Sequence, residues 1–312
     1  MAYFRLFRVV NLAIMVLIMY FFRFYLFESA MGFEKIPSPL SSLQFALLVA
    51  MFVLLAAGGY ALNDYYDIGM DEINKPGKTV LRQKIKLSVG LNWFFILTAL
   101  GLAVGFVLAF MLQNMTLYFV PVFLAALYWF YSTKYKREFL SGNLVVSLMA
   151  SLNILIIYIY YIMAFIKSGS IPVIMMPYIN TITVVYAAFA FYITFIREVA
   201  KDIPDMKGDK EFNCSNIPIR YGIKNTRMVL IVLSIVFLAA LAIFAWNTYV
   251  TKRSYLMYYI LFVLIPFWLF VIASFIKAKN DKDYKDIGLI LKIYMVAGIF
   301  SLQLLHMSSQ WR

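Results

Sequence analysis

Two runs of acidic and amide side chains are the part of this 312-residue chain best suited to chemistry. The first reads Asn63-Asp64-Tyr65-Tyr66-Asp67-Ile68-Gly69-Met70-Asp71. If the apolar helix before it continues, Asn63, Asp67 and Asp71 recur at i, i+4 and i+8 and present three oxygen ligands on one face. Asp64 is turned from Asn63 by the ~100° that 3.6 residues per turn imply, and stands beside that row. The second run places Asp202, Asp205 and Asp209 at i, i+3 and i+7, again one helical face. Pro204 is harmless in a first helical turn but breaks an interior one, and Gly208 also weakens a helix, so this run predicts a cluster more firmly than its geometry.

Like charges at i, i+4 repel unless a cation lies between them. All-oxygen ligands favour Mg²⁺, which keeps several waters and bridges carboxylates to substrate phosphates. Two such rows facing each other can hold two metal ions around a diphosphate, offset its charge and stabilise it as a leaving group. A solvated acidic loop that binds nothing accounts for one run; it accounts poorly for two regularly spaced runs. Lys75, Lys78, Lys136, Arg197 and Lys201 stand near the acids as candidate contacts to phosphate oxygens. Arg197, Lys201 and Asp205 share i, i+4 spacing, which makes the first two the better candidates.

The elements that must position these runs are membrane helices. The chain is 64% hydrophobic and only 14% charged, against about 45–50% and about 25% in soluble domains. Apolar blocks long enough to cross a hydrocarbon core of ~30 Å fall at about 9–30, 42–62, 88–112, 115–131, 142–166, 172–196, 228–248, 255–276 and 286–306. The expectation is an all-α polytopic bundle of about nine transmembrane helices, a single domain over residues 1–312, with two acidic loops, about 63–87 and 197–227, capping a central cavity. Four helices separate those loops, so both open on the same face.

Charge supports this count. One side carries Arg5 and Arg8, then the basic residues of 75–86, 134–137, 197–227 and 277–285, whereas the other has Lys35, Lys167, Lys252, Arg253 and Arg312. By the positive-inside rule the N-terminus and both acidic loops are cytoplasmic, in what is expected to be the cell (inner) membrane. The net charge of +13 then points to anionic lipid headgroups, not nucleic acid. No small-residue cleavage site follows the first apolar stretch, which reads as a retained helix. A single cysteine, Cys214, and a single histidine, His306, exclude an internal disulfide, Cys-based metal sites and paired-His haem ligation. Arg23 and Lys292 are basic residues within predicted spans, and both are expected to snorkel from a helix end.

At the acidic runs the chain resembles the UbiA-type intramembrane prenyltransferases. Their first signature, N-D-x-x-D-x-x-x-D followed by N-x-P, is matched by Asn63-Asp64, Asp67, Asp71, Asn74 and Pro76. Their second, D-x-x-x-D in a loop of mixed charge, is matched by Asp205 and Asp209. Arg8 with Asn11, and Tyr131-Ser132 with Lys136, Gly142 and Asn143, are smaller matches. Two departures stand out: Gly77-Lys78-Thr79 replaces the usual x-R-P, and a lysine is a point charge where arginine is a fork; Pro204 stands where many members are acidic.

The resemblance implies Mg²⁺-dependent ionisation of a prenyl diphosphate, an allylic carbocation, and its capture by a lipophilic or phosphorylated acceptor. It implies metal binding by Asn63, Asp64, Asp67, Asp71, Asp202, Asp205 and Asp209, with Asp67, Asp71, Asp205 and Asp209 carrying catalysis. Substrate binding would fall to Asn11, Asn63, Lys78, Lys136, Arg197 and Lys201. The second loop, with later Pro218 and Gly222, is most similar to members that prenylate a geranylgeranylglyceryl phosphate-like lipid; aromatic acceptors of quinone synthesis are the second expectation. The D-G-x-x-A-R run of CDP-alcohol phosphotransferases is absent. A divalent-cation or lipid transporter is the non-enzyme alternative, but transporters place ionisable residues near the bilayer midplane, and here the acids sit at helix ends.

Overall fold

The computed structural model describes residues 2–77 and 79–308; Lys78 and Arg312 lie outside the described residues. Among the described residues, nine helices long and apolar enough to cross a membrane follow in order: α1 (Val9–Glu34), α2 (Ser42–Tyr66), α3 (Leu87–Met111), α4 (Met115–Thr133), α5 (Ser141–Ser168), α6 (Met176–Glu211), α7 (Ile217–Val250), α8 (Ser254–Lys277) and α9 (Asp281–Ser308). Among the described residues there is no strand beyond one isolated bridge between Leu81 and Ile85. Large apolar side chains such as Phe110, Phe119, Ile243 and Phe262 are exposed on the outside of the bundle, as a lipid-facing surface requires. The interior is tied by aromatic packing around Phe237, Trp268 and Tyr294, with the Trp268 indole N–H donating to the Ser234 carbonyl at 2.8 Å.

The second acidic segment differs from its expectation as a loop. The 36-residue α6 is ~54 Å long at 1.5 Å per residue, well beyond a ~30 Å core. Its last turns project past the apolar layer and carry the aspartates as continuous helix through Pro204 and Gly208. Proline has no N–H to offer the Ala200 carbonyl, but Ile203, Pro204 and Gly208 are all buried, and this packing holds the turn. After a short connection α7 begins at Asn216, whose side chain caps the Ile219 N–H at 3.0 Å, and bends at Gly222 (φ 78°).

The first acidic segment bends once. α2 ends at Tyr66, and a short helix, Ile68–Asn74, follows. The Asp67 N–H still donates to the Asn63 carbonyl at 2.9 Å and the Asp71 N–H to the Asp67 carbonyl at 2.8 Å. The i, i+4, i+8 register therefore survives the bend.

Arg23 does not snorkel. It lies in a π-helical segment, Phe22–Phe27, and is only 6% exposed. Its Nε donates to Glu28 Oε1 at 2.6 Å, and its guanidinium sits 4.7 Å from the Phe45 ring centroid. The i→i+5 period of a π-turn stacks position 28 over position 23, which an α-turn would not. A nearby partner removes the need to reach water.

Candidate active site

The two acidic segments meet at two glycines: Gly208 lets the backbones approach, and Gly69 makes room for the Phe212 ring. The Gly208 N–H of α6 donates to Asn74 Oδ1 of the short helix at 2.8 Å. A Cβ at 208 would lie 2.7 Å from the Met70 carbonyl oxygen, and one at 69 would lie 2.3 Å from Cζ of Phe212. Neither position has room for a methyl group. This contact, with the turn Tyr135–Arg137 and the start of α7, closes one end of the bundle around a polar cavity of ≈ 640 Å³. Asn63, Asp64, Asp67, Asp71, Asp202, Asp205 and Asp209 all line it, together with Asn11, Lys75, Lys136, Arg197 and Lys201. Every site residue expected from sequence that lies among the described residues is thus brought to one mouth.

Each carboxylate is met by a donor. Arg8 pairs with Asp64 at 2.8 Å, Lys75 with Asp71 at 2.9 Å and Lys201 with Asp205 at 3.8 Å. Asn143 donates to Asp202 at 2.8 Å and Asn216 to Asp209 at 2.9 Å. Asp67 is buried; its Oδ2 accepts from both Asn63 and Lys136, while its Oδ1 is buried with no hydrogen-bond partner among the described residues. Burial pushes the Asp71 carboxyl up, but Lys75, Lys136 and Lys201 outweigh it and hold it below the ordinary carboxylate range. Burial lowers the Lys136 ammonium, and Asp67 more than restores it, to about 12. Burial likewise pushes the Cys214 thiol up to about 11, which leaves it an inert neighbour of Met70.

Among the described residues, no three acidic, histidine or cysteine side chains gather about one point to hold an ion by themselves. Repelling carboxylates have each turned to a nearby donor. The donor set nonetheless suits a hard divalent cation: it is all oxygen, and Asp67, which lines the mouth, keeps Oδ1 as a buried acceptor without a partner among the described residues. Mg²⁺ takes one or two carboxylates and completes its shell with water and phosphate, so a closed protein cage is not required.

Beneath the mouth lies a second, mainly apolar cavity of ≈ 290 Å³. Ile14, Met149, Phe189, Leu241 and Phe244 line its depth, and Tyr60, Tyr128 and Tyr131 line its neck. Both cavities share Arg8, Asn11, Asn63, Tyr131, Arg197, Glu198, Lys201 and Lys292. Lys292 therefore does not snorkel to a helix end but faces the neck from α9. Sequence reasoning gave it no role, although a charge within an apolar span was the available signal. Glu198, 8% exposed, was likewise unassigned; Arg197 pairs with it, and Lys201 lies 3.6 Å away.

A charged mouth over an apolar neck and pocket, inside a bundle of membrane-spanning helices, has the form of a membrane enzyme site suited to a ligand with an anionic head and a hydrocarbon tail. The model of the UbiA prenyltransferase family matches residues 7–294. The chain belongs to this family and is an integral membrane prenyltransferase. It is 27% identical over 259 residues to a digeranylgeranylglyceryl phosphate synthase of Methanosphaera stadtmanae, covering 82% of this chain and 85% of that one. It is 29% identical over 259 residues to the enzyme of the same name from Saccharolobus solfataricus, covering 82% of each chain. A solved digeranylgeranylglyceryl phosphate synthase shares the fold with a TM-score of 0.59 at 22% identity, over 96% of each chain. A UbiA homologue from Archaeoglobus fulgidus bound to GPP and Mg²⁺ does so with a TM-score of 0.56 at 17% identity, over 97% of this chain and 100% of that one.

Proposed function

We propose that this enzyme transfers a prenyl group, of about geranylgeranyl size, from its diphosphate to the free hydroxyl of a glyceryl phosphate lipid, with Mg²⁺ as cofactor. The observation that carries the reading is the convergence of both aspartate rows on one mouth directly above an apolar cavity. The names of the relatives support the acceptor, as do their Mg²⁺- and prenyl diphosphate-bound neighbours in fold the metal and donor.

In this reading Asn63, Asp64, Asp67 and Asp71 from one segment and Asp202, Asp205 and Asp209 from the other hold the metal. Bound Mg²⁺ neutralises the diphosphate and so makes it a better leaving group. Lys136 and Lys201 bind diphosphate oxygens; they already stand against Asp67 and Asp205 and need only exchange one oxygen for another, while Arg197 meets substrate phosphate at the neck. Asn11 orients the head group at the neck. The apolar cavity takes the hydrocarbon tail, and Tyr60, Tyr128 and Tyr131 exclude water and present π-faces where allylic positive charge develops. The basic end of the bundle faces the cytoplasm of the cell membrane, by the positive-inside rule.

The test is turnover by purified protein in lipid, given Mg²⁺ and geranylgeranyl diphosphate, with geranylgeranylglyceryl phosphate, 4-hydroxybenzoate or dihydroxynaphthoate. Prenylation of the glyceryl phosphate alone is expected. Prenylation of an aromatic acid instead would move the enzyme to quinone synthesis and sink the lipid assignment.

A further inference from the structure

The sign of the charge changes between the two cavities. Six aspartates line the mouth and do not line the apolar cavity: Asp64, Asp67, Asp71, Asp202, Asp205 and Asp209. The charged groups that do reach the apolar cavity are Arg8, Arg197, Lys201 and Lys292 against a single carboxylate, Glu198. Three of these cations are matched on the protein: Arg8 by Asp64, Arg197 by Glu198, and Lys201 by Glu198 and Asp205. Lys292 has no ion pair or hydrogen bond among the described residues, and the one carboxylate that acts on it, Glu198, is already shared by Arg197 and Lys201. The Arg197 Nε is also buried without a hydrogen-bond partner.

An ammonium on a membrane helix is costly unless something meets it, and here it opens onto a ligand cavity. The complement is an anion that arrives with the substrates. The donor diphosphate belongs among the mouth aspartates, because only there are the carboxylates that would share metal ions with it. Lys292 lies on another helix, at the level where the apolar cavity begins. We propose that Lys292, with the free Nε edge of Arg197, binds the phosphate of the acceptor lipid and selects phosphorylated acceptors over their neutral alcohols. This rests on the reading of the acceptor as a glyceryl phosphate. Two phosphate sites at different depths would keep two anions apart and hold the acceptor hydroxyl toward the neck.

The test uses full-length enzyme in lipid with saturating Mg²⁺, and compares wild type with Lys292→Met and Lys292→Arg. Acceptors are geranylgeranylglyceryl phosphate and its dephosphorylated alcohol; KM for acceptor, KM for geranylgeranyl diphosphate and kcat are measured separately. Removing one charge-assisted contact predicts a roughly 10- to 100-fold rise in acceptor KM for Lys292→Met. Donor KM should stay within about twofold, and Lys292→Arg should restore most of the loss. The wild-type preference for the phosphorylated acceptor should shrink by the same factor, because the alcohol never used Lys292. Loss of an unmatched charge does not threaten folding, and thermal unfolding of the lipid-bound variant checks this directly. An unchanged acceptor KM, or a rise confined to donor KM, would overturn the proposal while leaving the acceptor assignment intact. Wild-type turnover of 4-hydroxybenzoate but of neither glyceryl lipid would overturn both.

Discussion

Asp67→Asn separates charge from shape at the centre of the mouth. Asp67 is 4% exposed, and its Oδ2 takes hydrogen bonds from Asn63 and Lys136 while Oδ1 has none among the described residues. An amide keeps the volume and one carbonyl oxygen for those two donors, but cannot attract a divalent cation as a carboxylate does. Removing one electrostatic element of this kind costs roughly 10²–10³-fold in turnover, or about 2.7–4 kcal/mol of barrier. The effect on metal-free stability is smaller. Lys136 loses its counter-charge, but its side chain is 21% exposed and can relax toward water, so the expected loss is about 1–2 kcal/mol. Asp67→Ala, which strips both donors, should cost more, approaching the ~3 kcal/mol of a broken buried pair. The assay is diphosphate release in lipid alongside thermal unfolding with and without Mg²⁺ plus prenyl diphosphate. Wild type should be stabilised by the combination and Asp67→Asn should not. An Asp67→Asn enzyme that keeps more than about a tenth of wild-type turnover would refute the metal-binding role of this residue.

Three further expectations follow from the same geometry. Chelation with EDTA should abolish turnover and Mg²⁺ should restore it, whereas Ca²⁺, with its longer bonds and larger shell, should restore little; turnover indifferent to EDTA would remove the metal from the mechanism. Gly208→Ala should reduce turnover at least tenfold, because its methyl meets the Met70 carbonyl oxygen at 2.7 Å and parts the two aspartate rows; wild-type kinetics would show that the rows need no fixed spacing. Arg23→Met should lower the detergent unfolding midpoint by stranding Glu28, at a cost of about 1–3 kcal/mol, while kcat per folded molecule stays unchanged; a kinetic defect without a stability defect would contradict a purely structural Arg23.

The helices were legible because span length and loop charge are separate signals that agree: each apolar block is long enough, and basic residues alternate sides. The residues of the mouth were legible because carboxylates next to a bilayer are expensive enough to demand a purpose. The end of α6 was not legible. Pro204 and Gly208 are local helix breakers, and the burial that overrides them depends on the short helix Ile68–Asn74, which lies far away in sequence. Asn143 and Asn216 were missed as partners of Asp202 and Asp209 for a related reason: a lone amide carries no periodic or charge signal, and only tertiary packing brings it to a carboxylate. Lys292 and Arg23 looked alike in sequence, each a cation in an apolar span. The structure separates them, since Arg23 has Glu28 on its own helix, whereas Lys292 has no ion pair or hydrogen bond among the described residues and faces a cavity.

The close seat of Gly69 against Phe212, and of Gly208 against Asn74, makes the two acidic segments one mechanical part cut from distant stretches of chain. Grafting the first segment from a related enzyme without the second should give a misfitted mouth even if every aspartate is present. A suppressor of a damaging change on one side should arise on the other where the obstacle is a side chain: a bulkier residue at 69 is tolerated once Phe212 is trimmed, whereas at 208 the Met70 carbonyl is backbone and no such trim relieves it. The unit that can be exchanged between such enzymes is therefore the docked pair, not either motif alone.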